Sequence, residues 1–141
     1  MRKNKMNKLK LIALVTLFSF VSSVAYSKEC LISGKWKSHQ EKTLANMANV
    51  KMTKKQRKVL SNNFFGKLVY INTCNESTSY FEGEKETTKF ISMKEKGNIV
   101  ITEYFSSFYN KVIKEKAIFE GECYSTLIQS LGFREVFCRV K

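Results

Sequence analysis

From Lys67 onward, apolar and polar residues alternate in short runs rich in Val, Ile, Thr, Tyr and Phe, separated by polar breaks. A period of two marks strands with one face turned to a core and the other to water. The runs predict strands at 67–74, 77–84, 87–95, 98–106, 111–120, 121–129 and 133–140. Lys96-Gly97-Asn98, Ser106-Ser107 and Ser130-Leu131-Gly132 carry turn chemistry between them. Strand starts fall about ten residues apart, which argues for an antiparallel meander, since parallel strands need crossovers of roughly a dozen residues or more.

A short strand at 31–39 precedes this meander, and the texture between the two is helical. Leu44, Met47 and Ala48 recur at helical spacing, and Thr53-Lys54-Lys55-Gln56 is a capping box with Thr53 as N-cap and Gln56 at the third helical position. Gly66 follows Phe64-Phe65, where helices commonly end in a left-handed residue. These signals predict a helix over 54–65 with Val59, Leu60 and Phe64 on its buried side. There is no linker or internal repeat, so the chain reads as a single domain. Eight antiparallel strands in an open sheet would expose two unpaired edges, and closure removes both. The expected fold class is mainly β: an eight-stranded antiparallel up-and-down barrel with a helical insertion between strands one and two. At eight strands the interior is just wide enough for side chains or one small ligand.

The N-terminal segment stands apart. Arg2, Lys3, Lys5, Lys8 and Lys10 are followed by an uncharged, mostly apolar run over 11–25 that ends in Ala25-Tyr26-Ser27. That is the order of a secretory signal peptide, with cleavage expected after Ser27. A membrane anchor would want about 20 apolar residues, and this run stops at Lys28 and Glu29. Ser-Lys-Glu ahead of Cys30 is also too charged for a lipoprotein signal. The exported part, 28–141, is therefore expected to be periplasmic or secreted and not transmembrane once cleaved. Of 25 Lys and Arg, five lie in the removed segment, leaving 20 against 12 acids and a net charge of +8.

All four cysteines, Cys30, Cys74, Cys123 and Cys138, fall in the exported part. An even count in a small exported domain points to two disulfides. A meander places all four at one end of the barrel. Cys30 with Cys74 would join neighbouring strands and Cys123 with Cys138 the last hairpin; Cys30 with Cys138 and Cys74 with Cys123 is the rival set. No CxxC pair exists and His39 is the only imidazole, so no metal site is expected.

Gly34-Lys35-Trp36 on the first strand resembles the Gly-x-Trp signature of the lipocalins, small up-and-down barrels in which the Trp sits at the closed end and an Arg near the end of the last strand packs across it. Arg139 occupies that relative position, so the resemblance implies structural roles for Gly34, Trp36 and Arg139. The wider pattern, with Trp36-Lys37-Ser38, Thr43-Leu44 and Phe65-Gly66-Lys67-Leu68, is similar to small exported bacterial proteins of lipocalin-like type. The chain is shorter than a typical lipocalin, its insertion is helical and basic, and it has no second lipocalin signature. The resemblance implies a base sealed by Trp36, Arg139 and the cysteines, and an opening at the other end beneath the helix.

The chemistry available is narrow. Every acid is Glu, so motifs that need Asp are excluded, including a Ser-His-Asp triad. A zinc hydrolase would want more than one His, and a Cys-His dyad would want a free thiol. Glu82, Glu84, Glu86 and Glu103 are conceivable as paired sugar-hydrolysing carboxylates, but they alternate with Lys as solvent-facing strand positions do. Scattered single glycines offer no phosphate loop. No enzyme activity, cofactor or nucleic-acid partner is expected. Asn75-Glu76-Ser77 matches a glycosylation acceptor by pattern alone.

Two binding functions remain. Aromatics are spread over nearly every strand, and alternation turns about half inward, so the first expectation is a small apolar or amphiphilic ligand held between them and the helix. Val59, Leu60 and Phe64 would close the top, and Tyr104 and Phe119 would form the wall. The second rests on Lys51, Lys54, Lys55 and Lys58, spaced at i, i+3, i+4 and i+7 with Arg57 beside them. Lysines in a first helical turn oppose the helix dipole, which invites a functional explanation: a cavity-free module contacting an anionic envelope surface.

Overall fold

The structure is a computed structural model that describes residues 29–141. The signal segment expected at 1–27 lies outside the described residues. The elements in chain order are β1 (Gly34–Ser38), α1 (Gln40–Asn46), α2 (Lys54–Asn63), β2 (Val69–Asn72), β3 (Glu76–Phe81), β4 (Glu84–Lys96), β5 (Ile99–Ser106), β6 (Lys111–Glu120), β7 (Cys123–Ile128) and β8 (Phe133–Arg139). Each strand pairs antiparallel with the next, and β8 returns to β1, so the sheet is a closed barrel. The expected eight-stranded barrel with a helical insertion between its first two strands is what forms. The insertion holds two helices rather than one.

Local chemistry explains the boundaries. β1 starts at Gly34 and not at 31, because the chain turns first, with the Ser33 amide donating to the Cys30 carbonyl at 3.0 Å. α2 opens on the expected capping box: the Gln56 amide donates to Thr53 Oγ1 at 3.1 Å, and the Thr53 amide donates to Gln56 Oε1 at 2.9 Å. It ends when the Phe64 and Phe65 amides both turn back onto the Leu60 carbonyl. β4 runs past its expected bounds to 13 residues and absorbs a bulge between Phe90 and Ser92; bulges bend a strand and so help a sheet to curl.

Closure is the delicate step. β1 and β8 share only Trp36↔Arg139, Lys37↔Cys138 and Ser38↔Phe137. Beyond Ser38 the backbone of Val136 would be left open, and the start of α1 covers it. The His39 amide donates to the Val136 carbonyl at 2.8 Å, and the Val136 amide donates to the fully buried Thr43 Oγ1 at 3.0 Å. A short helix thus finishes the seam with a side-chain acceptor and leaves no orphan donor.

The base of the barrel is a stopper of rings. Trp36 is 1% exposed, donates Nε1–H to the Ile32 carbonyl at 2.8 Å, and meets Tyr124 and Phe119 edge-on. Phe137 stacks on Tyr124 and meets Tyr70. The Arg139 guanidinium lies 4.4 Å from the Trp36 ring centroid and donates to the Ser33 carbonyl. Gly34 explains itself here: its φ is +126°, and a Cβ would come 2.5 Å from Arg139 Nη1. Disulfides join Cys30 to Cys74 and Cys123 to Cys138 at the same end, with Cα separations of 5.8 and 4.0 Å; the rival pairing does not form. A second cluster of Met47, Phe65 and Phe133 lies under the helices at the opposite end.

Truncating Trp36 to Ala should remove about 3–5 kcal/mol of unfolding free energy, as large buried rings generally do. Arg139→Ala, which loses one cation–π contact and one partly exposed hydrogen bond, should remove about 1–2 kcal/mol. Urea denaturation of the two variants distinguishes them, and equal losses would mean that the guanidinium rather than the indole holds the base.

Candidate functional site

Above the ring stopper the barrel is hollow. The lumen has a volume of about 260 Å³ and reaches from Ile32, Tyr70 and Tyr124 at its floor to Phe105, Ser107 and Phe108 of the β5–β6 turn. At about 30 Å³ per molecule this equals the share of liquid taken by roughly nine waters. The mouth lies between the β3–β4 and β5–β6 hairpins, because the α1–α2 insertion and its core cluster fill the other half of that end.

The wall is more polar than an aromatic-rich chain suggests. Asn72, Ser77, Ser79, Thr88, Thr102 and Thr126 present amide and hydroxyl groups to the lumen. Its charged wall residues are Glu86 and Glu115, and no Lys or Arg is among them, although basic residues outnumber acids in the chain. Glu115 sits deep in the wall and accepts from the Tyr104 hydroxyl at 3.3 Å. Burial pushes its carboxyl above the ordinary range, while hydrogen bonds from Tyr104 and Thr126 and the charge of Arg134 pull the other way. Arg134 itself points out of the barrel, donating to Ser125 Oγ and to the Lys116 carbonyl. Burial and then the nearby Glu115 also raise the phenols of Tyr70 and Tyr104. Burial likewise raises Tyr124 well above its usual value, so all three rings stay neutral.

Asn72 is the irregular member. It is 4% exposed, its side chain hydrogen-bonds the Tyr124 phenol, and its Oδ1 is buried with no partner. A buried acceptor left unmade costs about 1–3 kcal/mol.

Several expected site residues fall elsewhere. Tyr104 is in the lumen wall. Phe119 points inward but at the base, 5.7 Å from Trp36 between ring centroids, so it belongs to the stopper. Val59 and Leu60 do not line the lumen: they border an outer groove with Met52 and Leu131, Val59 is 49% exposed, and Leu60 also packs against the cluster of Met47, Phe65 and Phe133, on the buried side expected for it. Phe64 lies over Phe81 and Phe65, half out in solvent. The reason is that α2 sits over the β7–β8 side of the barrel end, and Phe65, one residue past the expected face, is the ring that plugs inward. Arg57 leaves the basic stripe, since its guanidinium donates to the carbonyls of Met47 and Val50 and ties the two helices together. Lys51, Lys54, Lys55 and Lys58 remain exposed.

Of the four glutamates weighed as acids or bases, Glu82 and Glu103 lie in exposed ion pairs with Lys67 and Lys114 and Glu84 is exposed. Glu86 is exposed as expected and also borders the lumen. Glu115, Asn72 and Thr102 were missed. The available signal was parity: Ile113, Glu115, Ala117 and Phe119 share one face of β6, and Val100, Thr102 and Tyr104 share one face of β5. A polar residue among inward positions marks a lined cavity.

Among the described residues no cluster of three or more His, Cys or Glu could hold a metal, and no helix is long and apolar enough to cross a membrane. Compared with protein-family models, curated proteins and solved structures, the chain finds no match.

Glu135, at 4% exposure, accepts from Ser38 Oγ at 2.6 Å, and burial raises its carboxyl despite that bond. A folded carboxyl raised above its unfolded value binds protons more tightly when folded, so stability falls as pH rises past about 4.5, where the unfolded carboxyl ionises. Glu135→Gln keeps an acceptor for Ser38 and cannot ionise. It should be more stable than the parent at pH 7 and should flatten the loss between pH 4 and 7, measured by urea midpoints across that range.

Proposed function

We propose that the chain is an exported, non-enzymatic barrel of lipocalin-like type that holds one small amphiphilic molecule in its lumen. The observation that carries this is the cavity of about 260 Å³ with an aromatic floor and a polar wall. Barrels of this strand number can be filled by side chains alone, yet here the inward positions of β3, β4 and β5 include Ser77, Ser79, Thr88 and Thr102, which are too short to fill the centre. Gly34, Trp36 and Arg139, the residues of the lipocalin resemblance, support the barrel type. The two disulfides are compatible with export.

The wall decides which half of the expectation is favoured. The carboxylate of a fatty acid would find no Lys or Arg partner among the lumen residues. A compact ligand with an apolar ring or short chain and a polar end matches both surfaces. Titration of the purified protein with 2-phenylethanol, followed by the fluorescence of Trp36, the only tryptophan, should show saturable binding. Ser77→Phe and Ser79→Phe, which fill the lumen, should each abolish it without lowering stability. Binding that survives both substitutions, or an absence of saturable binding by any small amphiphile, would remove the proposal.

A second reading is favoured by the outer groove, where Val59, Leu60 and Leu131 lie beside Lys51 and Lys55. An apolar strip next to exposed lysines suits an anionic, amphiphilic envelope surface. It does not require an empty barrel, so both can hold. Replacing Lys51, Lys54, Lys55 and Lys58 with Glu should abolish retention on vesicles containing phosphatidylglycerol and leave 2-phenylethanol binding intact; unchanged retention would exclude this surface.

A further inference from the structure

The ligand class can be narrowed further, on the reading that the lumen is a binding site. We infer that the lumen is built for a small aromatic or alkyl amine in its protonated form. Two independent features converge on it. Glu86 and Glu115 are the charged groups of the wall, with no cation beside them in the lumen. The floor and upper wall carry neutral ring faces, Tyr70, Tyr104, Tyr124 and Phe90.

An ammonium group fits this inventory better than the alternatives. It offers three donors and no acceptor, whereas a carboxylate or phosphate would set another anion beside Glu86 and Glu115. A carboxylate has about four acceptor positions, and Glu115 has Tyr104 and Thr126 on it, so capacity for a charge-assisted bond remains. Ring faces attract cations through their quadrupole, most strongly where water is excluded. Burial that makes Glu115 reluctant to ionise alone also makes a paired cation worth more there.

The net charge of +8 on the exported part opposes approach of a cation. That field is screened beyond about 8 Å at physiological salt, while Glu86 and Glu115 act at contact. It should slow association without deciding selectivity. Size agrees as well, since 2-phenylethylamine and 2-phenylethanol each have about as many non-hydrogen atoms as the lumen has water-sized places.

The test compares three probes of one shape on the purified protein by calorimetry: 2-phenylethylamine, 2-phenylethanol and phenylacetate, all at pH 7. The amine should bind at least about tenfold more tightly than the alcohol, and phenylacetate least of all. Glu115→Gln keeps an acceptor oxygen for Tyr104 and Thr126 and should erase most of the amine's advantage, read as the ratio of amine to alcohol affinity in the variant against that in the parent. Glu86→Gln at the mouth, where folding is not at stake, should weaken the amine several-fold. Alcohol binding equal to or tighter than amine binding, tighter phenylacetate, or an amine affinity indifferent to both substitutions would overturn the amine inference and leave the lumen as a site for neutral or anionic amphiphiles. Failure of all three probes, or binding that persists in Ser79→Phe, would overturn the lumen itself.

Discussion

Everything in this barrel depends on a three-residue seam. β1 meets β8 over Trp36, Lys37 and Ser38, with the Val140 amide just past β8 donating to the Lys35 carbonyl at 2.9 Å, and without this seam the sheet would present two open edges of unpaired amides and carbonyls. The seam is short because β1 is short. It is secured on one side by the Trp36–Arg139 contact and on the other by α1, whose Thr43 and N-capping His39 take over the backbone groups of Val136. The helical insertion is thus part of closure.

Closure divides the interior into three levels. Rings of Trp36, Phe119, Tyr124 and Phe137 seal the base, where both disulfides also lie. Met47, Phe65 and Phe133 fill half of the opposite end under the helices. Between them small and polar side chains leave a hollow. The arrangement puts apolar packing where it stabilises the ends and leaves Glu115 and the hydroxyl-bearing side chains to border the hollow between them.

Much of the fold was legible. Alternation gave the strands because each has one face in the core, and the capping box gave α2 because Thr53 and Gln56 satisfy each other's backbone amides locally. Meander geometry brought the four cysteines to one end and left two pairings open, of which Cys30–Cys74 with Cys123–Cys138 forms. The site was less legible. Amphipathicity shows which face of α2 is apolar but not what covers it, so Val59 and Leu60 came out on an outer groove. Alternation turns Phe119 inward but does not tell its level along the axis, which the pairing of Phe119 with Tyr124 next to Trp36 sets. Glu115 drew no reading from the sequence, although it shares the inward face of β6 with Ile113 and Ala117.

The central claim is that the hollow between the ring stopper and the helices is where a small molecule sits. Intermolecular nuclear Overhauser effects from bound 2-phenylethylamine to the methyl groups of Thr88, Thr102, Ala117 and Thr126 test it most directly. Contacts to those four methyls, with none to Val59 or Leu131, are the expected result. Contacts confined to the outer groove, or a probe that never approaches the inner methyls, would contradict it.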